Sequence, residues 1–260
     1  MLLLPVCALF AQGDSLFHLV RDIKGDYAGF TADNLGNIFL VTKTNQLKKL
    51  NVKGDSMGVY NDVRRFGKLY YIDASNPLKT LLFYKDFRTI VVLDRFLNLM
   101  NVIDLRKQNI FQVKAIGQSY DNNVWIFDEQ EGKLKKIAED GKILGETADL
   151  RLVFGDAPAP THIFDQNGFV YMYDPAKGMY IFDYYGALKN NLPLLHWTDV
   201  QVIGQTIAGR AEGKYITYTQ GTLQMKEALL PKNLREAGTI QISPQGIYIL
   251  EQEGIRLYGQ

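Results

Sequence analysis

Leu134-Lys135-Lys136-Ile137-Ala138-Glu139-Asp140-Gly141 is a short strand-like run that ends in an acid and a glycine. Leu47-Lys48-Lys49-Leu50-Asn51-Val52-Lys53-Gly54, 87 residues upstream, has the same form. Between them lies Ile90-Val91-Val92-Leu93-Asp94-Arg95-Phe96-Leu97, and beyond them Met179-Tyr180-Ile181-Phe182-Asp183-Tyr184-Tyr185-Gly186. Weaker copies begin at Leu223 and Ile255. The starts at 47, 90, 134, 179, 223 and 255 are spaced by 43, 44, 45, 44 and 32 residues. Self-similarity at a period near 40–45 residues marks a repeat of one four-stranded unit.

A second element sits about ten residues upstream of each copy. Asp33-Asn34-Leu35-Gly36, Asp121-Asn122-Asn123, Asp165-Gln166-Asn167-Gly168, Glu212-Gly213 and Ser243-Pro244-Gln245-Gly246 each open a strand. Asp and Asn close such turns with their own side chains, and Gly accepts positive φ. The strands that follow, such as Val124-Trp125-Ile126-Phe127 and Phe169-Val170-Tyr171-Met172, are apolar on both faces. That pattern suits a sheet buried between two others.

Each unit therefore reads as strand a, Asp/Gly turn, strand b, loop, strand c, Gly turn, strand d. The predicted fold is all-β: a six-bladed β-propeller of four-stranded blades. The last unit ends after its third strand, and Leu16-Phe17-His18-Leu19-Val20 has no other partner. That N-terminal segment is expected to complete the sixth blade against Ile255-Arg256-Leu257-Tyr258, because an unpaired edge invites aggregation. The pattern resembles the six-bladed NHL and YncE-like propellers and the secreted propellers of the Bacteroidota. The resemblance covers nearly the whole mature chain and speaks to fold, which does not fix function.

Met1 to Phe10 is an uncharged apolar run followed by Ala11-Gln12. It is too short to span a bilayer and reads as a signal peptide over residues 1–11, with one propeller domain over 12–260. Lipidation at Cys7 is disfavoured because Val6 stands where a small residue is wanted. The expected location is the periplasm or the cell surface, with membrane contact only through a partner. The mature chain would hold no cysteine, hence no disulfide framework.

The 260 residues carry 29 Lys and Arg against 28 Asp and Glu. A general nucleic-acid binder would carry a basic excess. No phosphate-binding glycine motif is present. No cofactor is implied. His18, His162 and His196 fall in separate units without metal-ligand spacing. Asp33, Asp94, Asp121, Asp165 and Asp183 recur at turns and are read as turn caps. A glycosidase-like centre needs two carboxylates converging at one point. Tyr171 and Tyr180 read as packing residues, and Tyr184 and Tyr185 as turn residues that either pack or stand in solvent.

The b–c and d–a loops share one face of such a fold. On the first two blades they carry Lys43, Arg64, Arg65, Lys85, Arg88, Arg106 and Lys107; on later blades, Asp128, Glu129, Glu131, Asp156, Asp174, Glu251 and Glu253. Sorted charge is what a docking surface presents. Trp197, in a corresponding loop, is the candidate aromatic anchor. The sequence thus points to a non-enzymatic envelope protein, a scaffold that binds another protein in a periplasmic or outer-membrane complex. The alternatives are a propeller enzyme of the lactonase or lyase kind, and glycan binding through Trp197 and exposed tyrosines.

Overall fold

A computed structural model describes residues 18–222 and 224–259. The signal-peptide reading, Cys7, and residues Leu16, Phe17 and Leu223 of the expected strands lie outside the described residues.

Strand β1 (His18–Lys24) precedes the first blade, β2 (Tyr27–Ala32), β3 (Ile38–Thr42), β4 (Leu47–Leu50) and β5 (Ser56–Tyr60). Helix α1 (Val63–Phe66) leads to the second blade, β6 (Tyr71–Asn76), β7 (Lys79–Tyr84), β8 (Thr89–Asp94) and β9 (Leu99–Asp104). A 3₁₀ turn, η1 (Leu105–Gln108), joins it to the third, β10 (Val113–Gln118), β11 (Val124–Asp128), β12 (Lys133–Ile137) and β13 (Ile143–Glu146). Helix α2 (Leu150–Phe154) precedes the fourth, β14 (His162–Gln166), β15 (Phe169–Asp174), β16 (Gly178–Asp183) and β17 (Leu188–Leu192). The fifth is β18 (Thr198–Ile203), β19 (Thr206–Ala211), β20 (Lys214–Thr219) and β21 (Gln224–Leu229). Helix α3 (Lys232–Arg235) leads to β22 (Thr239–Ser243), β23 (Gly246–Glu251) and β24 (Gly254–Gly259).

Each blade is one antiparallel four-stranded sheet, and the sixth has the order β1-β24-β23-β22. The protein is a six-bladed β-propeller whose N-terminal strand completes the last blade. The closing strand runs further than the sequence suggested: Leu19 faces Tyr258, and after a bulge Ile23 faces Ile255 and Lys24 faces Gly254.

The described chain divides into two compact units, 60–196 and 18–59 with 197–259. In the first, Leu81, Phe83, Ile90 and Val92 of the second blade pack on Ile116, Val124 and Ile126 of the third. Trp125, Phe127 and Leu134 pack in turn on Ile163, Val170, Met172, Tyr180 and Phe182 of the fourth. In the second unit, Tyr215 and Ala208 meet Ile240, Ile242, Ile247 and Ile249; Tyr248, Ile255 and Leu257 meet Ile38 and Leu40. Apolar residues on both faces of the middle strands are thus sandwiched between blades, where burying each such side chain contributes roughly 1.5–3 kcal/mol.

Side chains also join the first strands of adjacent blades. Gln241 accepts from Ala32 N (2.8 Å) and donates to Ala32 O (3.0 Å). Gln201 does the same to Ile242, at 2.9 and 3.0 Å. In the other unit Asp73 Oδ2 accepts from Gln118 N at 2.7 Å.

The c–d turns are capped as expected. Asp94 Oδ1 accepts from the amides of Phe96 and Asn98, both at 2.8 Å; Asp183 Oδ1 accepts from Tyr185 and Ala187 at 3.0 and 2.9 Å. The fifth blade departs from the reading. Glu212-Gly213 is its b–c turn, Tyr215–Tyr218 lies in strand c, and the stretch after Leu223 is strand d. The reason is local: Glu212 and Gly213 both have positive φ, 51° and 74°, which forms a tight two-residue hairpin. That hairpin carries the same residue types as an a–b turn.

Candidate functional site

At the b–c and d–a end of the second blade, cations and aromatic rings come together. Helix α1 exposes Arg64 and Arg65 and buries Phe66 against Tyr84, ring centroids 5.3 Å apart. The Arg65 guanidinium lies over the Phe66 ring at 4.7 Å, and Lys85 Nζ lies over the half-exposed Tyr70 ring at 4.7 Å. Phe87, at the tip of the turn, packs beside Gly67, whose positive φ ends the helix. Arg88 Nε donates to Phe111 O at 2.7 Å, tying this turn to the segment after η1. Tyr70, Phe87 and Phe111 remain substantially exposed. Among the described residues Arg64 and Lys107 have no carboxylate partner, whereas Arg106 is held by Asp104 through two bonds of 2.8 Å. The hydrogen bond and charge of Arg106 hold the Asp104 carboxyl below its ordinary range. Lys43, in the other unit, pairs with Asp26 at 2.5 Å.

Part of the acidic half of the expected surface is closed off, and the acids that stay exposed are ion-paired. Asp128 and Asp174 are each 1% exposed. Asp128 takes Lys135 Nζ at 2.8 Å and the Gln130 amide at 3.1 Å. Asp174 takes the amides of Ala176 (2.8 Å) and Ala159 (2.7 Å). Both carboxylates are parts of turns, because buried backbone donors must find acceptors. Glu129 pairs with Lys114, Glu131 with Lys135 and Lys133, Asp156 with Lys177, and Glu251 with Arg256. Trp197 is also not a surface anchor. It is 6% exposed, and a Cβ on Gly209 would lie 2.9 Å from its ring. Gly209 makes the slot that the indole fills.

The opposite end of the third and fourth blades holds a constellation the sequence reading missed. Asp165 was read as a turn cap, but its side chain reaches the neighbouring blade. Its Oδ2 accepts from Ser119 Oγ (3.0 Å), Tyr120 N (3.2 Å) and Trp125 Nε1 (3.0 Å), and its Oδ1 accepts from the Tyr184 hydroxyl (2.6 Å). Tyr120 stacks on Tyr184 with centroids 4.6 Å apart and 15° between planes, and Trp125 lies 6.5 Å from Tyr184 with 27° between planes. Lys136, the cross-strand partner of Trp125, places its Nζ over all three rings at 5.1–5.6 Å and pairs with Asp121 at 2.5 Å. Burial pushes the Tyr184 hydroxyl well above its ordinary range, and Asp165 adds to this. Blade three reaches Asp165 because β10 runs against β14 at Gly117, where a Cβ would lie 2.5 Å from Ile163 O.

The histidines do not converge. His18 and His196 are exposed. His162 is partly buried, stacked on Phe164 and edge-on to Tyr71. Burial holds its imidazole down to about 4. Among the described residues no group of three or more His, Cys, Asp or Glu is arranged to hold a metal ion.

The fold and these surfaces define a six-bladed propeller. No protein-family model matches the sequence, and no curated protein matches it. Among solved structures, a streptogramin B lyase aligns with a TM-score of 0.61 at 16% identity, over 88% of this chain and 78% of that one. Virginiamycin B lyase from Staphylococcus aureus gives 0.61 at 13%, over 93% and 97%. The WD40 domain of Neurospora crassa Pan2 gives 0.61 at 10%, over 86% and 75%. At such identities the likeness is one of fold.

Proposed function

We propose that this protein is a non-enzymatic propeller of the cell envelope that docks another protein through the basic, aromatic end of its second blade. The observation that carries this is the grouping of Lys85 over Tyr70 and Arg88 on Phe111 O with the exposed ring of Phe87, beside the helix that exposes Arg64 and Arg65. Aromatic residues and arginine are the types enriched at binding hot spots. Arg64, with no carboxylate partner among the described residues, offers its fork to a partner's carboxylate, whereas Arg65 lies 3.9 Å from Asp62. The envelope setting rests on the apolar run Met1–Phe10. Arg64→Glu with Arg65→Glu should leave the fold intact, since exposed changes usually shift stability by less than about 0.5 kcal/mol. Affinity purification from the native envelope should then lose the partner that the parent recovers. Recovery at parental levels overturns this reading.

A second reading is a lyase, favoured by the streptogramin B and virginiamycin B lyases among the structural neighbours. It predicts enzyme-dependent consumption of virginiamycin B, which the docking reading does not.

A further inference from the structure

The Tyr120–Tyr184 stack has features that packing alone does not require. Tyr120 is 68% exposed. One face of its ring is covered by Tyr184, which leaves the other open to water. The ring is nevertheless fixed in place. Its backbone amide, the Tyr184 hydroxyl and the Trp125 indole all bind the single carboxylate of Asp165. Four donors on one carboxylate leave the stack little freedom to collapse inward, so the open face is held ready before any ligand arrives.

We infer that this stack is a platform for a neutral saccharide. A pyranose ring carries C–H groups on its face and hydroxyls around its rim. Such a ring can lie on the open face of Tyr120 while its hydroxyls reach Asp121 and the polar turn beside it. Amphipathic aromatic rings suit a ligand that is apolar on one side and wet on the other. The local charge selects against the other ligand that stacks on tyrosine, a nucleobase on a phosphate chain. Asp121 and Asp165 stand against one cation, Lys136, which Asp121 already neutralises. Nucleic-acid grooves are cationic instead. The platform lies at the a–b and c–d end of its blades, away from the docking surface, and stands or falls separately from it.

Titration with maltohexaose, cellohexaose and chitohexaose, followed by tryptophan fluorescence, tests this, since Trp125 lies beside the stack. At least one of the three should give a saturable change. Tyr120→Ala should weaken that binding by roughly tenfold or more, the scale of one stacked ring, with the melting temperature unchanged. Tyr120→Phe should bind as the parent does, because the ring face carries the contact. Three flat titrations would overturn the inference, as would a Tyr120→Ala protein that binds like the parent. A single-stranded oligonucleotide that saturates where the sugars do not would overturn it in favour of nucleobase stacking.

Discussion

The b–c turns of the second and third blades occupy the same place in neighbouring sheets and treat charge in opposite ways. In the third blade Lys135 reaches back to Asp128 and Glu131, and the Asp128–Lys135 pair is closed off from water. In the second, Lys85 and Arg88 contact a ring and a carbonyl, and Phe87 stands beside them half in solvent. A loop charge is therefore read by where its partner sits. One turn uses charge to hold itself together, and the other leaves charge available to something outside the chain.

If the contrast holds, the two turns should respond very differently to losing a cation. Lys135→Met strips a buried carboxylate of its counter-ion, and removing one partner of a buried pair costs about 3–5 kcal/mol. Denaturant unfolding should show that loss, and Asp128→Asn in the same background should recover part of it. Lys85→Met, at the open turn, should stay within about 0.5 kcal/mol of the parent. Equal losses at both turns would erase the distinction.

A smaller effect belongs to His162, whose folded pKa lies at about 4 against an ordinary 6.5. As pH falls through that window the unfolded chain takes up a proton that the folded chain refuses. Stability is then lost between 6.5 and 4, and above 6.5 the residue has no effect. His162→Phe should flatten the dependence of melting temperature on pH in that window and leave neutral pH unchanged. An unchanged slope would mean that other groups carry it.

The fold was legible because its punctuation is local. Asn51, Asp94 and Asp183 bind amides two and four residues ahead, so the residue type at a fixed offset announces the turn. The same local signature misled where chemistry repeats without topology. Glu212-Gly213 looks like the other turns and joins different strands. Asp165 has the type and spacing of a cap, yet its partners lie 19 to 46 residues away. Asp174 and Trp197 read as loop side chains because much of what buries them is distant in sequence. Their cover comes from Ala159 and Gly209, brought in by the blade. Sorted loop charge was visible in the sequence, but which cation each acid takes, across its own hairpin for Asp128, Glu131 and Glu251 and from another segment for Glu129, Asp156 and Glu253, was not.

The docking claim is tested most directly by a photo-crosslinking residue placed at each of the two turns in turn. With the crosslinker at Phe87, irradiation of the native envelope should give one dominant conjugate to a partner protein, absent when Arg64 and Arg65 are reversed to Glu. With it at Gln130, in the self-neutralised turn, that conjugate should not form. Equal conjugates from both positions, or none from Phe87, would contradict the account.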